Sequence, residues 1–433
     1  MPEKEEHRRQ RNQKRVSHLR SQTGSVIGCG FPDQAPKNSP NSAQQFHTFQ
    51  SLLCRPEISI KLPSHCRRKD RHRTVKRILI LTAGFGEGHN SAARGIRAGL
   101  ARVAPKVEVE LRDLFPETFG VFNEIVRRAY LALINHWPKS WGYVYNWLDR
   151  KKDFDQRFKR FHGLKKNLGR LLDHFQPDVV VSTFPPYPYL LDQILGSERR
   201  CKNIAVVTDS ITVNAIWYRS PADYFFVANK QSAAVVHNGG VPPEKIKVFG
   251  FPVSPRFADF TGDRQSPVKV VPRVLYVINA GTRRAPQLVR KLVDLDIQLT
   301  VTVGRDEKLH RAIEKAAGSR KIDIFGWTDE MPRLLCENHL LIGKAGGATV
   351  QETIAAGCPM IINHVVSGQE EGNARLIVET NSGAIALSND EAAAQVQRAF
   401  ASDAKQWHQW SANIGKLSRP RASLDIAEFL LSL

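Results

Sequence analysis

A chain of 433 residues with 42% hydrophobic and 24% charged side chains is too long for one ordinary core and suits two globular domains with extensions. Its net charge of +21, from 63 basic and 42 acidic residues, implies an anionic partner: a nucleic acid, a membrane surface or a phosphorylated substrate. No apolar run reaches the ~18–20 residues of a membrane span, and the first thirty residues lack the apolar core of a secretion signal. Cys29, Cys54, Cys66, Cys201, Cys336 and Cys358 form neither metal-type pairs nor a dense disulfide framework, which points to a reducing, cytoplasmic compartment.

Residues 1–75 read as a disordered basic arm. Through Arg77 there are 17 Lys/Arg against six Asp/Glu, set among Ser, Gln, Pro and Asn with little periodicity. An electrostatic tether and a leader with no role are both open for it. From residue 76 short apolar runs alternate with helical patterns. The run 78–81 suits a buried parallel strand, and 91–100, after a glycine cluster, suits a small-residue helix against a sheet. Further strands are predicted at 107–111, 178–183, 203–208, 224–228 and 247–249, which makes residues 76–256 a doubly wound α/β domain.

An insertion at 115–165 carries Trp137, Trp141 and Trp147, then Arg150, Lys151, Lys152, Arg157, Lys159 and Arg160. Aromatic rings favour the headgroup boundary and basic side chains favour anionic lipid, so a membrane-interface segment is one reading. A buried aromatic face with solvated charges is the other. After a polar linker at 257–272, strands predicted at 273–278, 298–303, 321–325, 340–342 and 359–362 form a second α/β domain, 273–433. Its cleft with the first domain is the expected site, because open parallel sheets bind ligands beyond the carboxyl ends of their strands.

Three stretches carry chemistry. In the first, 82–91, Gly84, Gly86 and Gly88 alternate before a helix start, where close backbone approach and the helix pole favour anionic or developing negative charge. His89 in this turn is either a general base for a hydroxyl or a helix-start cap or phosphate ligand. The second, 343–359, ends a strand in a glycine turn and runs into a helix from near Thr349 to the stop at Gly357-Cys358-Pro359. The amides of Gly346 and Gly347 with the Thr349 hydroxyl suit a diphosphate, and Glu352 suits a vicinal diol such as ribose. Thr349 and Glu352 also have the spacing of a capping box, which needs no ligand. The third, 367–375, sets Gln369 and Glu370 to bond sugar hydroxyls and Asn373 to orient their loop, or else forms a polar helix cap.

From about residue 76 onward these motifs, in order with Val207-Thr208-Asp209, Phe325-Gly326-Trp327, Lys344-Ala345-Gly346 and Gly368-Gln369-Glu370-Glu371-Gly372-Asn373, resemble the monogalactosyldiacylglycerol synthase and processive diacylglycerol glucosyltransferase family. The peptidoglycan lipid-intermediate N-acetylglucosaminyltransferase is a more distant relative. The resemblance implies a GT-B fold, two Rossmann-like domains about a cleft, with the last helix crossing back between them. It also implies an inverting hexosyltransferase that needs no metal or other cofactor. Its donor would be UDP-glucose or UDP-galactose, and its acceptor a diacylglycerol-like lipid at an anionic membrane surface. No nucleic acid partner is expected. His89 would be the base, with Asp209 orienting it, acting as base itself, or capping a turn. Gly346, Gly347, Thr349, Glu352, Gln369, Glu370 and Asn373 would hold the donor, joined by Gly281, Thr282, Gly326 and Trp327. Gly86, Glu87, Gly88, Trp137 and Trp141 would face the acceptor. The turn 279–284 has one glycine where the family has several, and Arg283 or Arg284 is an alternative phosphate contact. A soluble UDP-sugar enzyme of the same fold, such as a UDP-N-acetylglucosamine epimerase, and a non-catalytic basic binding protein are the other function classes.

Overall fold

A computed structural model describes residues 75–84, 86–120, 158, 161–197, 199–211, 213–260, 264–366 and 370–433. Residues 1–74 of the basic arm, Trp137, Trp141 and Gln369 lie outside the described residues. The described part of the chain falls in one unit, His72–Leu433, built on two wholly parallel six-stranded sheets.

The first sheet has the order β2-β1-β3-β4-β5-β6. Its strands are β1 (Arg77–Thr82), β2 (Glu108–Asp113), β3 (Val179–Ser182), β4 (Lys202–Val206), β5 (Tyr224–Val227) and β6 (Ile246–Val248). Strand β1 is central, paired in register with β2 on one side and β3 on the other. Covered on both faces, its run from Ile78 to Leu81 is fully buried, which is why the sequence reads there as unbroken apolar residues. The second sheet has the order β12-β11-β10-β7-β8-β9. Here β7 is Arg273–Val277, β8 Gln298–Gly304, β9 Asp323–Gly326, β10 Leu340–Lys344, β11 Met360–His364 and β12 Gly383–Ile385. Strand order reverses between β1 and β3 in one sheet and between β7 and β10 in the other, and those two reversals open crevices at the carboxyl ends of the strands.

The two halves share apolar packing. Ala92, Phe251, Val253 and Phe257 from the first half cluster with Leu341, Val350, Ile354 and Met360 from the second. The final helix, Ala422–Ser432, packs on the first sheet, with Ile426, Ala427 and Leu430 against Ile78, Ile80, Ile96 and Leu100. That close approach needs Gly99 in the Glu87–Val103 helix, where a Cβ would sit 2.2 Å from the Ser423 carbonyl oxygen.

The segment between the sheets is anchored by polar contacts. Arg264 donates to the carbonyls of Leu335, Cys336, Ala356 and Gly357, capping the C-terminal ends of the Met331–Glu337 and Gly347–Ala355 helices. Next to it the Gln265 carbonyl accepts from Nε2 of buried His339, whose Nδ1 accepts from the Arg273 amide. Burial lowers His339 to about 4, which keeps this structural imidazole neutral. Arg264→Ala leaves four carbonyls without their charged donor and is expected to cost ~3 kcal/mol in urea unfolding. Arg264→Lys should recover little, since an ammonium does not reproduce the guanidinium fork.

Candidate active site

On the first sheet, β1 ends in a turn fixed by neighbours from distant sequence. Asp113, at the end of β2, accepts from the Gly84 amide at 2.8 Å and from the Phe115 amide at 3.0 Å. Tyr187 donates its hydroxyl to the Thr82 carbonyl, and the Thr82 hydroxyl donates to Asn90 Oδ1. The Glu87–Val103 helix follows with Gly86 at its N-cap and no side-chain cap. It starts four residues earlier than predicted, inside the glycine cluster. A Cβ at Gly88 would meet nothing within 4 Å, whereas one at Gly86 would lie 3.7 Å from His89 Cδ2. Glu87 is exposed and paired with Arg94.

His89 sits in this first turn. Its Nδ1 lies 2.7 Å from the Thr183 carbonyl oxygen and 3.0 Å from Thr208 Oγ1. A carbonyl oxygen only accepts, so Nδ1 carries the hydrogen and Nε2 carries the lone pair. The ring of Phe184 stands edge-on at 5.2 Å and that of Trp217 lies at 6.3 Å. Removal from water lowers His89 to about 4, because burial penalises the charged imidazolium. A neutral, oriented imidazole with a basic Nε2 is the result. The Thr183 carbonyl orients the ring, and Asp209, next in sequence to Thr208, accepts from the Asn214 amide through Oδ2 at 3.2 Å.

On the second sheet, β10 delivers the glycine turn. The helix begins at Gly347 with Gly346 as its N-cap and no side-chain cap, which corrects the predicted start near Thr349 and removes the capping-box reading. Thr349 is the third helical residue, and its hydroxyl lies 3.5 Å from Asn279 Nδ2. The first-turn amides therefore face outward with no side chain occupying them, a ready anion site. Charged groups surround the turn. A Cβ at Gly346 would lie 3.3 Å from Lys344 Cε, 3.7 Å from Thr349 Oγ1 and 3.8 Å from Glu370 Oε1. Lys344 Nζ and Glu370 Oε1 pair at 2.7 Å, and Glu370 Oε2 accepts from the Val366 amide. Glu370 thus holds Lys344 beside the turn, leaving only its remaining lone pairs for a sugar.

The other expected donor residues lie along the same carboxyl edge. Gly281 adopts a left-handed φ of +67°, which favours glycine, and Thr282 beside it is exposed. Arg284 lies beside Gly281 and donates to the carbonyls of Leu387 and of Asn363 near the carboxyl end of β11, while Arg283 is exposed. Gly326 ends β9, three strands or ~14 Å across the sheet from β10. Trp327 is 67% exposed, with the Arg305 guanidinium 5.2 Å over its ring.

Glu352 faces the first half of the molecule across the interface. Burial pushes its carboxyl up to about 7, with Arg94 opposing the rise and Glu87 adding to it. A carboxyl raised from its ordinary 4.5 contributes stability below pH 4.5 that is lost as pH climbs through about 7. Glu352→Gln should therefore leave the melting temperature unchanged at pH 4.5 and raise it at pH 8, and a pH series of thermal melts checks this.

Asn373 bridges the halves. Its Oδ1 accepts from Ser210 Oγ at 2.7 Å, and its Nδ2 donates to the Ala345 carbonyl at 3.1 Å. Thr183, Ser210 and Asp113 were not singled out in the sequence. Thr183 acts through its backbone, which leaves no side-chain signal, whereas Asp113 had one: a carboxylate at the carboxyl end of a strand next to the glycine turn.

Comparison with known proteins agrees with this architecture. The monogalactosyldiacylglycerol (MGDG) synthase family model matches residues 89–253, and the glycosyltransferase family 28 C-terminal domain matches residues 277–416. The chain is 26% identical to the processive diacylglycerol beta-glucosyltransferase of Bacillus subtilis, over 83% of this chain and 95% of that one. It is 27% identical to the chloroplastic monogalactosyldiacylglycerol synthase of Spinacia oleracea, over 82% and 72% respectively. Among solved structures, MurG of Acinetobacter baumannii superposes with a TM-score of 0.54 at 14% identity, covering 83% of this chain and all of that one. The UDP-GlcNAc 2-epimerase of Neisseria meningitidis superposes at 0.51 with 11% identity, over 82% and 100%. At those identities the structural likenesses show the fold alone. Two family domains matched in tandem on paired Rossmann-type sheets mark the chain as a glycosyltransferase of GT-B fold, with a monogalactosyldiacylglycerol synthase domain followed by a glycosyltransferase family 28 C-terminal domain.

Proposed function

We propose that this glycosyltransferase moves a hexose, glucose or galactose, from a UDP-sugar to the hydroxyl of a diacylglycerol-type lipid, with inversion at the anomeric carbon. The observation that carries the reading is His89, a neutral imidazole with its Nδ1 hydrogen on the Thr183 carbonyl and its Nε2 unprotonated. The uncapped helix start at Gly346 and Gly347 supports the donor half.

In this mechanism the UDP diphosphate lies against the first-turn amides of the Gly347–Ala355 helix with Lys344 alongside, and Glu352 accepts from the ribose hydroxyls. Gln369 and Glu370 are assigned to the sugar, and Gly281, Thr282, Gly326 and Trp327 to the rest of the nucleotide. The acceptor, to which Gly86, Glu87, Gly88, Trp137 and Trp141 are assigned, attacks the anomeric carbon from the face opposite the leaving UDP. Its proton passes to His89 Nε2. Negative charge grows on the diphosphate as the glycosidic bond breaks, and the aligned amides stabilise that charge without having to reorganise. Asp209 stays in place as a second carboxylate beside the loop that holds His89.

No helix among the described residues is long and apolar enough to cross a membrane, and the proposal is that the protein works peripherally on an anionic surface. Radiolabelled UDP-glucose and UDP-galactose, each incubated with diacylglycerol vesicles with and without EDTA, test the reading. A β-glycolipid from one donor, undiminished by EDTA and increased by anionic lipid, is expected. No glycolipid from either donor, or turnover of UDP-N-acetylglucosamine without lipid, would overturn it.

A further inference from the structure

The end of β4 leads into a short segment that touches both halves of the site. Thr208 stands against His89 Nδ1 at 3.0 Å. Two residues on, Ser210 is 6% exposed and its hydroxyl is satisfied on both sides. It donates to Asn373 Oδ1 at 2.7 Å and accepts from Gln351 Nε2 at 3.0 Å. Both partners belong to the second sheet's layer: Gln351 lies inside the Gly347–Ala355 helix, and Asn373 lies in the first turn of the Glu371–Glu379 helix.

The segment is itself fixed. The Ser210 carbonyl accepts from Asn229 Nδ2 at 2.7 Å and from the Ser232 hydroxyl at 3.0 Å, while Asp209 Oδ2 holds the Asn214 amide. On the far side Asn373 passes the connection to the Ala345 carbonyl at 3.1 Å, the peptide that enters the Gly346–Gly347 turn. The chain of contacts runs from His89 through Thr208 and Ser210 to Asn373 and the glycine turn.

We infer that Ser210 is a positioning residue that sets the donor turn at a fixed distance from His89. The inference rests on the donor and base roles proposed above. Ser210 is buried, with its hydroxyl already engaged by Asn373 and Gln351. It acts through Asn373 and Gln351, and its hydroxyl suits the task because it donates and accepts at once. Reaction between two bound partners depends steeply on their alignment, and a shift near 1 Å is enough to cost ~100-fold in rate. The effect of losing this hydroxyl should therefore fall on the transfer step rather than on nucleotide affinity.

Ser210→Ala, Ser210→Thr and Gln351→Ala, each compared with wild type, test this by UDP calorimetry, by kcat and KM for transfer, and by donor hydrolysis without acceptor. Water, unlike a bound lipid hydroxyl, is free to take up a position between His89 and a shifted donor, so hydrolysis is the reference rate. Ser210→Ala is expected to bind UDP within about threefold of wild type, to hydrolyse donor at the wild-type rate, and to lose at least about tenfold in kcat for transfer. Ser210→Thr should restore most of that loss, and Gln351→Ala, which leaves the bond to Asn373, should lose less. Thermal melts establish that each variant is folded. Transfer by Ser210→Ala at the wild-type rate would overturn the inference. So would a parallel fall in UDP affinity, hydrolysis and transfer, or a Ser210→Thr variant that melts like wild type yet recovers nothing. Wild type that binds no UDP refutes the donor reading and this inference with it, whereas wild type that transfers normally beside an unaffected Ser210→Ala refutes this inference alone.

Discussion

Replacing His89 by alanine is expected to reduce glycosyl transfer by ~10²–10⁴-fold while leaving UDP affinity within about twofold of wild type. The ring lies on the first sheet, held by the Thr183 carbonyl, whereas the proposed diphosphate turn belongs to the second. Its loss should therefore affect kcat and spare nucleotide binding. His89→Gln fills similar space without a basic nitrogen and should be equally impaired. The pH profile adds a sharper check. With His89 lowered to about 4 by burial, the imidazole of the free protein is already unprotonated at pH 6. The acid limb of kcat/KM should lie near pH 4, and the rate should fall as pH drops through it. Bound donor brings a diphosphate into the cleft, and that negative charge favours the imidazolium. The acid limb of kcat, which reports the donor complex, should then lie at higher pH than that of kcat/KM. Coincident limbs near pH 6.5 would mean that His89 is solvated and unoriented.

The second large effect concerns how the helix bearing His89 is seated. A Cβ at Gly95 would stand 1.9 Å from the Pro252 carbonyl oxygen and 3.0 Å from that of Val253. Alanine gains ~1 kcal/mol over glycine in a helix interior, but forcing a methyl against a fixed backbone costs ~1–3 kcal/mol or more. At 1.9 Å from backbone the steric cost wins, so Gly95→Ala should be destabilised by ~2 kcal/mol or more, and the displaced helix should carry His89 out of line. Gly169 supplies the contrast. It lies in the His162–Phe175 helix, and a Cβ there meets nothing within 4 Å. Gly169→Ala should be more stable by ~1 kcal/mol. Urea unfolding of both variants separates the effects, and a stabilised Gly95→Ala would show that the helix is not tightly seated.

The sequence was most legible where burial imposes a pattern. Ile78 to Leu81 and Leu340 to Ile342 lie in strands covered on both faces, so each reads as an unbroken apolar run. Strand β12, three residues Gly-Ala-Ile, has no such run, and Gly383 fits there because a Cβ would stand 1.9 Å from the Met360 carbonyl. That constraint comes from β11 and leaves no local trace. Helix starts were misplaced toward the C-terminus in both glycine turns, because glycines read as loop while in the folded chain Gly88 and Gly347 are helical. Of the candidate site, the groups that carry their own chemistry were visible: His89, the Gly346–Gly347 turn, Glu352 and Asn373. Their supports were not. Thr183 meets His89 from 94 residues away, and Ser210 meets Asn373 from 163. The first pairing needs the ends of neighbouring strands β1 and β3 side by side, and the second needs the strand ends of the two sheets brought together.

The account stands on a uridine diphosphate seated at the Gly346–Gly347 helix start and apart from His89. Calorimetric titration of UDP into wild type, His89→Ala and Glu352→Gln tests this most directly. Wild type and His89→Ala should bind with equal affinity, and Glu352→Gln about tenfold more weakly, as expected when a carboxylate bonded to the ribose is lost. No heat of UDP binding to folded wild-type protein, or binding abolished by His89→Ala and untouched by Glu352→Gln, would contradict it.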